Sequence, residues 1–231
     1  MNRYIIGDIH GAGLELEALI NKFYTPGDMI FAVGDLFDRG QHAHIVWDLI
    51  HKYNIRSTLG NHDYKTLRWL TGANAWLPHH YYYALNVLNK HGVTPKKLRS
   101  YLESLQLGYD LGQHIITHAA VDPENPTHWG VSWNAYGNIT DVVPGATKES
   151  NFWDYYFGDK TVVYGHVSAP DGKPRIRPSS IGIDTGAVKG GPLTAYCLET
   201  GMIIQHQSGI NWFSKIENQK FEPHADYMAA R

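Results

Sequence analysis

Five short apolar runs in this sequence end in, or are followed by, side chains of the types that bind metal ions. The segments read Gly7-Asp8-Ile9-His10-Gly11, Gly34-Asp35-Leu36-Phe37-Asp38-Arg39-Gly40, Gly60-Asn61-His62-Asp63, Thr117-His118 and Gly165-His166. Carboxylate, imidazole and amide side chains together suit a divalent cation such as manganese, iron or zinc. Two such ions about 3.5–4 Å apart can hold a phosphate group and activate water toward its phosphorus. The pattern therefore predicts a metal centre that acts on phosphate esters.

The elements around the first three segments place them at one edge of a sheet. Apolar runs predict strands over residues 3–7, 28–33 and 55–59, and helical spacing of apolar residues predicts helices over 13–23, 44–53 and about 64–70. Strands that alternate with helices over short connections are typical of a parallel sheet covered by helices. Chemistry in such sheets lies at the carboxyl ends of the strands, which is where the polar segments fall.

The rest of the chain predicts more strands and a helical insertion. Further strands are expected over residues 109–111, 114–117, 161–164, 180–183, 193–198 and 202–205. Helices over 85–90 and 95–105 would form a cap-like insertion of about 72–106, and 122–145 predicts a long loop. We expect a single domain over 1–231, with an irregular C-terminal extension of about 211–231.

Composition narrows the class of protein. The chain has 231 residues, enough for one well-buried domain, and hydrophobic residues make up 43% of it. Its 20 Lys and Arg against 22 Asp and Glu leave a net charge of −2, so no stable nucleic-acid binding is expected. No apolar stretch approaches the ~20 residues of a membrane span. Cys197 is the single cysteine, which excludes an internal disulfide and fits a reducing, cytoplasmic location.

Each polar segment alone has an ordinary structural explanation. An Asp-x-His pair such as Asp8 and His10 is typical of a turn, and Asn61 after a strand is typical of a helix cap. A buried histidine is more often hydrogen-bonded in a core than bound to a metal. Five such strand ends in one chain favour a shared metal centre over five separate structural roles.

The ordered segments GDIHG, GDLFDRG and GNHD, with the later TH and GH, closely resemble the calcineurin-like metallophosphoesterases. The intact Asp38-Arg39-Gly40 resembles the phosphoprotein phosphatase branch of that family, which includes phage lambda-type and bacterial serine/threonine phosphatases. The resemblance covers roughly residues 4–198. It implies an α/β fold, a four-layer α/β/β/α sandwich of two mixed sheets with a dimetal site at the strand C-terminal ends.

The resemblance also implies a role for each matched residue. The metal ligands would be Asp8, His10 and Asp35 for one ion, and Asp35, Asn61, His118 and His166 for the other. A hydroxide bridging two divalent ions, with Mn²⁺ expected and Fe or Zn as alternatives, would attack phosphorus. His62 would protonate the leaving oxygen while Asp38 orients it, and Arg39 would grip phosphate oxygens beside Asn61.

The leading expectation for function is a metal-dependent serine/threonine phosphoprotein phosphatase that hydrolyses phosphomonoesters. The first alternative is a symmetrical bis(5'-nucleosyl)-tetraphosphatase that gives two ADP, and a cyclic-nucleotide phosphodiesterase is a weaker third. The substrate would thus be a phosphorylated protein or a small phosphate ester or nucleotide. A binding protein that keeps the fold without catalysis is disfavoured, since the ligand positions and the proton donor are all filled.

Three features depart from the family pattern or stay open. The third motif ends in Asp63 where eukaryotic-type phosphatases have Glu. The loop over residues 127–135 lacks the second phosphate-binding arginine common in the branch, so Arg175 and Arg177 are candidates to replace it. The tyrosine- and histidine-rich segment 78–83 either packs on the sheet or offers rings to a nucleobase or a peptide.

Overall fold

The computed structural model describes residues 1–73 and 76–229 and contains two mixed five-stranded sheets. The strands are β1 Arg3–Ile6, β2 Met29–Ala32, β3 Arg56–Ser57, β4 Gly108–Asp110, β5 His114–Thr117, β6 Thr161–Tyr164, β7 Arg175–Arg177, β8 Ser180–Gly182, β9 Pro192–Cys197 and β10 Ile203–Gln207. The first sheet runs β10-β9-β1-β2-β3 and the second runs β4-β5-β6-β8-β7. Strands β1, β2 and β3 are mutually parallel, as are β5, β6 and β8.

The helices are α1 Gly13–Phe23, α2 Ala43–Lys52, α3 Asn61–Leu70, α4 His79–Lys90, α5 Pro95–Ser104, α6 Val131–Asn134 and α7 Ala225–Ala229. Within the described ranges, none of them is long and apolar enough to cross a membrane. The expected fold class is confirmed. The outer layer on the second sheet is mostly loop, with the four-residue α6 and a 3-10 helix at Phe152–Asp154.

Successive side chains along each strand face different layers of the fold. In β1, Tyr4 and Ile6 face the cluster formed with the helices, whereas Ile5 faces the cluster between the two sheets. In β6, Val163 faces the inter-sheet cluster and Val162 faces the outer loop layer. Successive side chains of a strand point to opposite faces, so strands apolar on both faces can pair two sheets and also hold helices or loops outside.

Two helices begin three or more residues earlier than the sequence pattern predicts. Helix α3 begins at Asn61 rather than near Tyr64, because the Asp63 carboxylate accepts the Gly60 N–H at 3.1 Å and closes the first turn. Helix α4 begins at His79 rather than Leu85, and its polar first turn hides the apolar spacing. The strand β7 was not predicted.

The expected insertion of about 72–106 contains α4 and α5, and residues 74 and 75 of that range lie outside the described residues. Helix α4 buries Tyr81, Ala84, Leu85 and Leu88 at helical spacing in the same cluster as α1 and α2. Helix α5 begins with Thr94 as its cap, whose hydroxyl accepts the Lys97 N–H at 3.3 Å. These helices therefore extend the main core rather than forming a separate one.

The C-terminal extension, expected over about 211–231, is partly ordered by α7, with residues 230 and 231 outside the described part. Tyr227 is fully buried in the helical core and donates its hydroxyl hydrogen to the Val93 carbonyl at 3.0 Å. Asn86 of α4 donates to the Glu222 carbonyl at 2.7 Å and accepts from the His224 N–H at 2.8 Å. The buried Tyr227 and the hydrogen bonds of His79, Asn86 and Asn89 on α4 thus hold the segment in place.

Replacing Tyr227 with alanine should release this segment without unfolding the sheets. Truncating a buried aromatic residue lowers the free energy of unfolding by about 3–5 kcal/mol. Here the loss would weaken the packing of the C-terminal segment against the rest of the chain. We expect trypsin to cleave after Lys215 or Lys220 at least tenfold faster in Tyr227→Ala, as followed by mass spectrometry. The matched control is Met228→Ala, whose side chain is half-exposed. Equal cleavage of the two variants would show that Tyr227 does not anchor the segment.

Candidate active site

The polar segments predicted from the sequence meet where β1, β2, β5 and β6 end and α3 begins. Four of their residues, His10, Asp35, Arg39 and His166, have φ angles of +46°, +53°, +67° and +67°. Non-glycine residues seldom adopt this left-handed conformation, and they do so mainly where a site imposes it. The strand-to-loop turns thus hold these side chains toward one another at some conformational cost.

Asp35 lies at the centre of the cluster. Its Oδ1 accepts the His62 N–H at 3.0 Å and lies 3.5 Å from His118 Nε2, while its Oδ2 lies 3.4 Å from His10 Nε2. One carboxylate oxygen therefore faces the His118 side and the other faces the His10 side. This is the arrangement needed for a carboxylate that contacts two cations.

On the first side of Asp35, His10 faces Asp8. The His10 Nε2 lies 3.9 Å from Asp8 Oδ2, and Asp8 accepts the His166 N–H at 3.1 Å. The His10 Nδ1 lies 2.8 Å from Asp38 Oδ1, which fixes the proton on that nitrogen and leaves the Nε2 lone pair for the site.

On the second side, Asn61, His118 and His166 converge. Asn61 Oδ1 lies 3.0 Å from His118 Nε2 and 3.1 Å from His166 Nδ1. The other nitrogen of His118, Nδ1, donates to the Val33 carbonyl at 2.8 Å, so Nε2 is free of its proton on the site side.

A third group surrounds His62. Its Nδ1 lies 2.7 Å from Asp38 Oδ2, and Arg39 donates from its two terminal nitrogens to His62 Nε2 and His10 Nε2, both at 2.8 Å. Asp38 thus holds both imidazoles by their Nδ1 atoms and aims both Nε2 atoms at one point, which the guanidinium of Arg39 also reaches.

Two positions require glycine because the backbone there passes close to a carboxylate of the candidate metal site. A methyl group added at Gly60 would overlap the Asp35 carboxylate, and one at Gly165 would overlap the Asp8 carboxylate. Gly60 directly precedes Asn61, and Gly165 directly precedes His166. This close packing is why the sequence shows glycine beside these two motif residues.

Burial shapes the charges of the cluster. Burial and the neighbouring Asp184 and Asp35 charges hold the pKa of Asp8 well above its usual range, and burial raises the pKa of Asp35 to about 6. Burial lowers the pKa of His10 to about 3 and that of His166 to about 4. The imidazoles therefore stay neutral, and the buried carboxylates resist being ionised together. A bound cation would stabilise the ionised carboxylates and accept the lone pairs of the neutral imidazoles.

The geometry also fits cations. On the first side of Asp35, His10 Nε2 lies 3.4 Å from Asp35 Oδ2 and 3.9 Å from Asp8 Oδ2. On the second side, His118 Nε2 lies 3.5 Å from Asp35 Oδ1 and 3.0 Å from Asn61 Oδ1. Ligand bonds of about 2.1 Å place neighbouring donor atoms about 3–4 Å apart. The residues present therefore fit divalent cations on both sides of Asp35.

The sequence analysis did not identify the residues that support His62 from the insertion. The Tyr81 hydroxyl lies 2.7 Å from His62 Nδ1, and the two rings stack at 5.4 Å and 5°. His80 Nε2 lies 3.3 Å from Asp38 Oδ2. Tyr81 is buried, so its ring is not a surface for a nucleobase, whereas the other residues of the segment 78–83 are half-buried. Only the density of tyrosine and histidine in this segment hinted at its position.

Asp63 and Asp184 were also missed as parts of the site's support. Asp63 accepts the N–H groups of Asp35 at 2.7 Å and Leu36 at 3.1 Å, which fixes the left-handed turn at Asp35. Burial and the Asp35 charge raise the pKa of Asp63 to about 8. Asp184 follows β8, and its position after an apolar strand was the available signal.

Arg175 and Arg177, the expected substitutes for a second phosphate-binding arginine, are not brought into this cluster. Both lie on β7 at the edge of the second sheet, with their guanidinium groups 4.8 Å and 5.7 Å from the Trp153 ring. A second cation, Lys189, lines the cavity together with His10, Arg39 and His166.

Two mixed sheets with carboxylates and imidazoles gathered at their strand ends define a metal-dependent phosphoric ester hydrolase. Residues 1–184 match the family described as calcineurin-like phosphoesterase, and the chain belongs to this family. The resemblance seen in the motifs is thereby confirmed. Members of the family use a dinuclear centre of divalent metal ions.

The chain is similar to known proteins over most of its length. The bis(5'-nucleosyl)-tetraphosphatase PrpE [asymmetrical] of Halalkalibacterium halodurans is 30% identical, over 83% of this chain and 87% of its own. The protein of the same name from Geobacillus sp. (strain WCH70) is 32% identical, over 83% and 88%. A solved structure described as a candidate diadenosine tetraphosphatase superposes with a TM-score of 0.70 and 25% identity, covering 89% of this chain and 93% of that one.

Removing the charge of Asp35 should weaken metal binding on both sides at once. We expect Asp35→Asn to bind Mn²⁺ at least tenfold more weakly than the parent, with fewer ions per chain by calorimetry and elemental analysis, because an amide does not supply the central negative charge. The matched control Asp48→Asn alters an exposed carboxylate on α2. Unchanged stoichiometry and affinity in Asp35→Asn would exclude Asp35 as a shared ligand.

Proposed function

We propose that this chain hydrolyses dinucleoside tetraphosphates asymmetrically, so that diadenosine tetraphosphate gives ATP and AMP. The observation that carries the proposal is the chain-long similarity, at 30% and 32% identity, to two tetraphosphatases named asymmetrical. It favours the nucleotide alternative over the phosphoprotein phosphatase expected first. Both relatives are named asymmetrical, whereas the alternative in the sequence analysis is symmetrical cleavage that gives two ADP. A cytoplasmic location fits the buried, free Cys197.

The metal ligands in this proposal are Asp8, His10 and Asp35 for one ion, and Asp35, Asn61, His118 and His166 for the other. When bound, two divalent ions supply Lewis-acid stabilisation of charge on phosphate and lower the pKa of a coordinated water. Manganese is the ion we propose, with iron and zinc as alternatives, because oxygen donors and imidazoles are mixed in this set.

Arg39 would hold phosphate oxygens of the substrate. Its terminal N–H groups point at the spot where His10 Nε2 and His62 Nε2 also converge. A guanidinium donates two parallel hydrogen bonds and so binds phosphate with a fixed orientation. The guanidinium also lies 5.7 Å from the ring of Phe213, which limits the directions it can take.

His62 would donate a proton to the leaving oxygen. Burial lowers the pKa of His62, but the charges of Asp38 and Asp35 and the Asp38 hydrogen bond raise it more, so that the pKa lies above its usual value. Asp38 itself stays ionised, since its imidazole partners hold its pKa well below the usual range despite burial. Arg39 donates to His62 Nε2 in this structure, so that nitrogen carries no proton here. When Arg39 instead binds phosphate, an imidazole with a raised pKa that Asp38 holds by its Nδ1 would take up a proton on Nε2 and could donate it.

Product analysis tests the proposed reaction. Metal-stripped protein is supplied with Mn²⁺ and given either diadenosine tetraphosphate or a phosphothreonine peptide, and products are resolved by ion-exchange chromatography. We expect ATP and AMP in equal amounts, with kcat/KM for the dinucleotide at least tenfold above that for the peptide. Two ADP would show symmetrical cleavage. Faster release of phosphate from the peptide would restore the phosphoprotein phosphatase function.

The role of His62 is tested through the leaving group. We expect His62→Gln to lower kcat for phenyl phosphate by about 100-fold, and to lower kcat for 4-nitrophenyl phosphate much less, because nitrophenolate leaves without a proton. His51→Gln, an exposed histidine on α2, is the control. Metal content is measured in each variant. An equal loss toward both esters, with metal retained, would exclude proton donation by His62.

A further inference from the structure

Two differently lined cavities include His166 in their walls. One, of about 380 Å³, is lined by His10, Arg39, His166, Ser168, Asp184 and Lys189 among others. The other is a cleft of about 120 Å³ whose lining includes His166, Tyr136 and Lys148. It shares Tyr136, Gly137 and Lys148 with a further cavity of about 390 Å³. The site thus opens onto two surfaces of different chemistry.

The first surface suits phosphate groups. Arg39 and Lys189 supply two cations, Ser168 supplies a hydroxyl, and the lining described for this cavity has no tyrosine, tryptophan or phenylalanine. Asp184 also lines it, and its Oδ1 accepts the Gly186 N–H at 3.0 Å. A chain of phosphates needs cations spaced along it and has no use for an aromatic surface.

The second surface suits a nucleoside. Tyr136 is 41% exposed, and its ring lies nearly perpendicular to that of Tyr64, with the ring centroids 6.2 Å apart and an interplanar angle of 85°. Ser132 and Asn138 add a hydroxyl and an amide, and Lys148 adds a cation at the end of the cavity that reaches His166. Nucleobases stack on aromatic rings and take hydrogen bonds from such polar groups.

The backbone ties the second surface to the candidate metal site. Gly137 lies against the His166 imidazole, where an added methyl group would come 3.5 Å from Cδ2. Tyr136 follows directly after the loop 127–135, in which the expected arginine is missing. A tyrosine therefore borders the site in the region where the sequence analysis looked for a cation.

We propose that Tyr136 and Lys148 bind the nucleoside nearest the attacked phosphorus, and that Arg39 and Lys189 bind the departing triphosphate. This assignment rests on the proposed function and adds the orientation of the substrate. The leaving group belongs on the side of Arg39 because His62, the proposed proton donor, lies within 2.8 Å of that guanidinium. Water adds to the attacked phosphorus and gives up a proton to solvent, and the bond from that phosphorus to the bridging oxygen breaks. The triphosphate leaves with that oxygen, which takes a proton from His62.

The test compares two substrates in matched variants of the manganese-loaded full chain. Tyr136→Leu removes the ring, and Tyr155→Leu removes an equally exposed tyrosine that does not line these cavities. We expect Tyr136→Leu to lower kcat/KM for diadenosine tetraphosphate about 10-fold to 100-fold more than for 4-nitrophenyl phosphate, which has no nucleoside. Tyr155→Leu should leave both values at those of the parent.

The proposed binding of the triphosphate is tested with Lys189→Gln. The matched control is Lys96→Gln, which alters an exposed lysine on α5. We expect Lys189→Gln to raise KM for the tetraphosphate at least fivefold and to weaken its dependence on salt, because one cation along the phosphates is lost. Lys96→Gln should do neither. A KM and salt dependence equal to those of the parent would overturn the triphosphate assignment.

The remaining outcomes separate the assignment from the function on which it rests. If the parent does not hydrolyse the dinucleotide, the proposed function fails and the assignment fails with it. If the parent does so and Tyr136→Leu keeps its kcat/KM, the assignment alone is wrong. An equal loss toward both substrates would reduce Tyr136 to a structural role, and a selective loss toward a phosphopeptide would make the cavity a peptide site.

Discussion

The structure depends above all on the burial of several carboxylates at one sheet edge. Asp8, Asp35, Asp38 and Asp63 are all nearly inaccessible to water, where an isolated negative charge is costly. Asp38 is balanced by two imidazoles and a nearby guanidinium, whereas Asp63 accepts hydrogen bonds from backbone N–H groups. The strain of the left-handed turns, the glycines packed against carboxylates and the raised pKa of His62 all follow from satisfying these groups.

That constraint explains why so much of the candidate site could be predicted from sequence. A buried carboxylate packed against backbone leaves no room for a Cβ, so Gly60 lies against the Asp35 carboxylate and Gly165 against the Asp8 carboxylate, each directly before a motif residue. Strand β1 and helix α1 were predicted within one residue because their apolar spacing is regular and their ends carry clear signals. Local sequence therefore identified both the edge of the sheet and the side chains gathered there.

The parts that could not be predicted come from distant segments. Tyr81 reaches His62 from the insertion, and Phe213 reaches the Arg39 guanidinium from the C-terminal extension. Neither carries a local signal, because a tyrosine in a helix that packs on a core looks the same as one that also contacts a catalytic candidate. Arg175 and Arg177 show the converse: their residue type fits a phosphate site, but pairing with β8 places them at a sheet edge against Trp153.

The two surfaces beside His166 bear on where a dinucleoside tetraphosphate would be cut. A symmetrical cut leaves two phosphates on each side of the broken bond, so the two arms of the substrate are alike and like surfaces would serve both. An asymmetrical cut leaves one phosphate beside a nucleoside on one side and three phosphates on the other. A site with an exposed tyrosine on one surface and two cations on the other matches unlike arms. The inequivalence of these surfaces, which the metal-binding motifs do not encode, thus agrees with the asymmetrical cleavage proposed from the relatives.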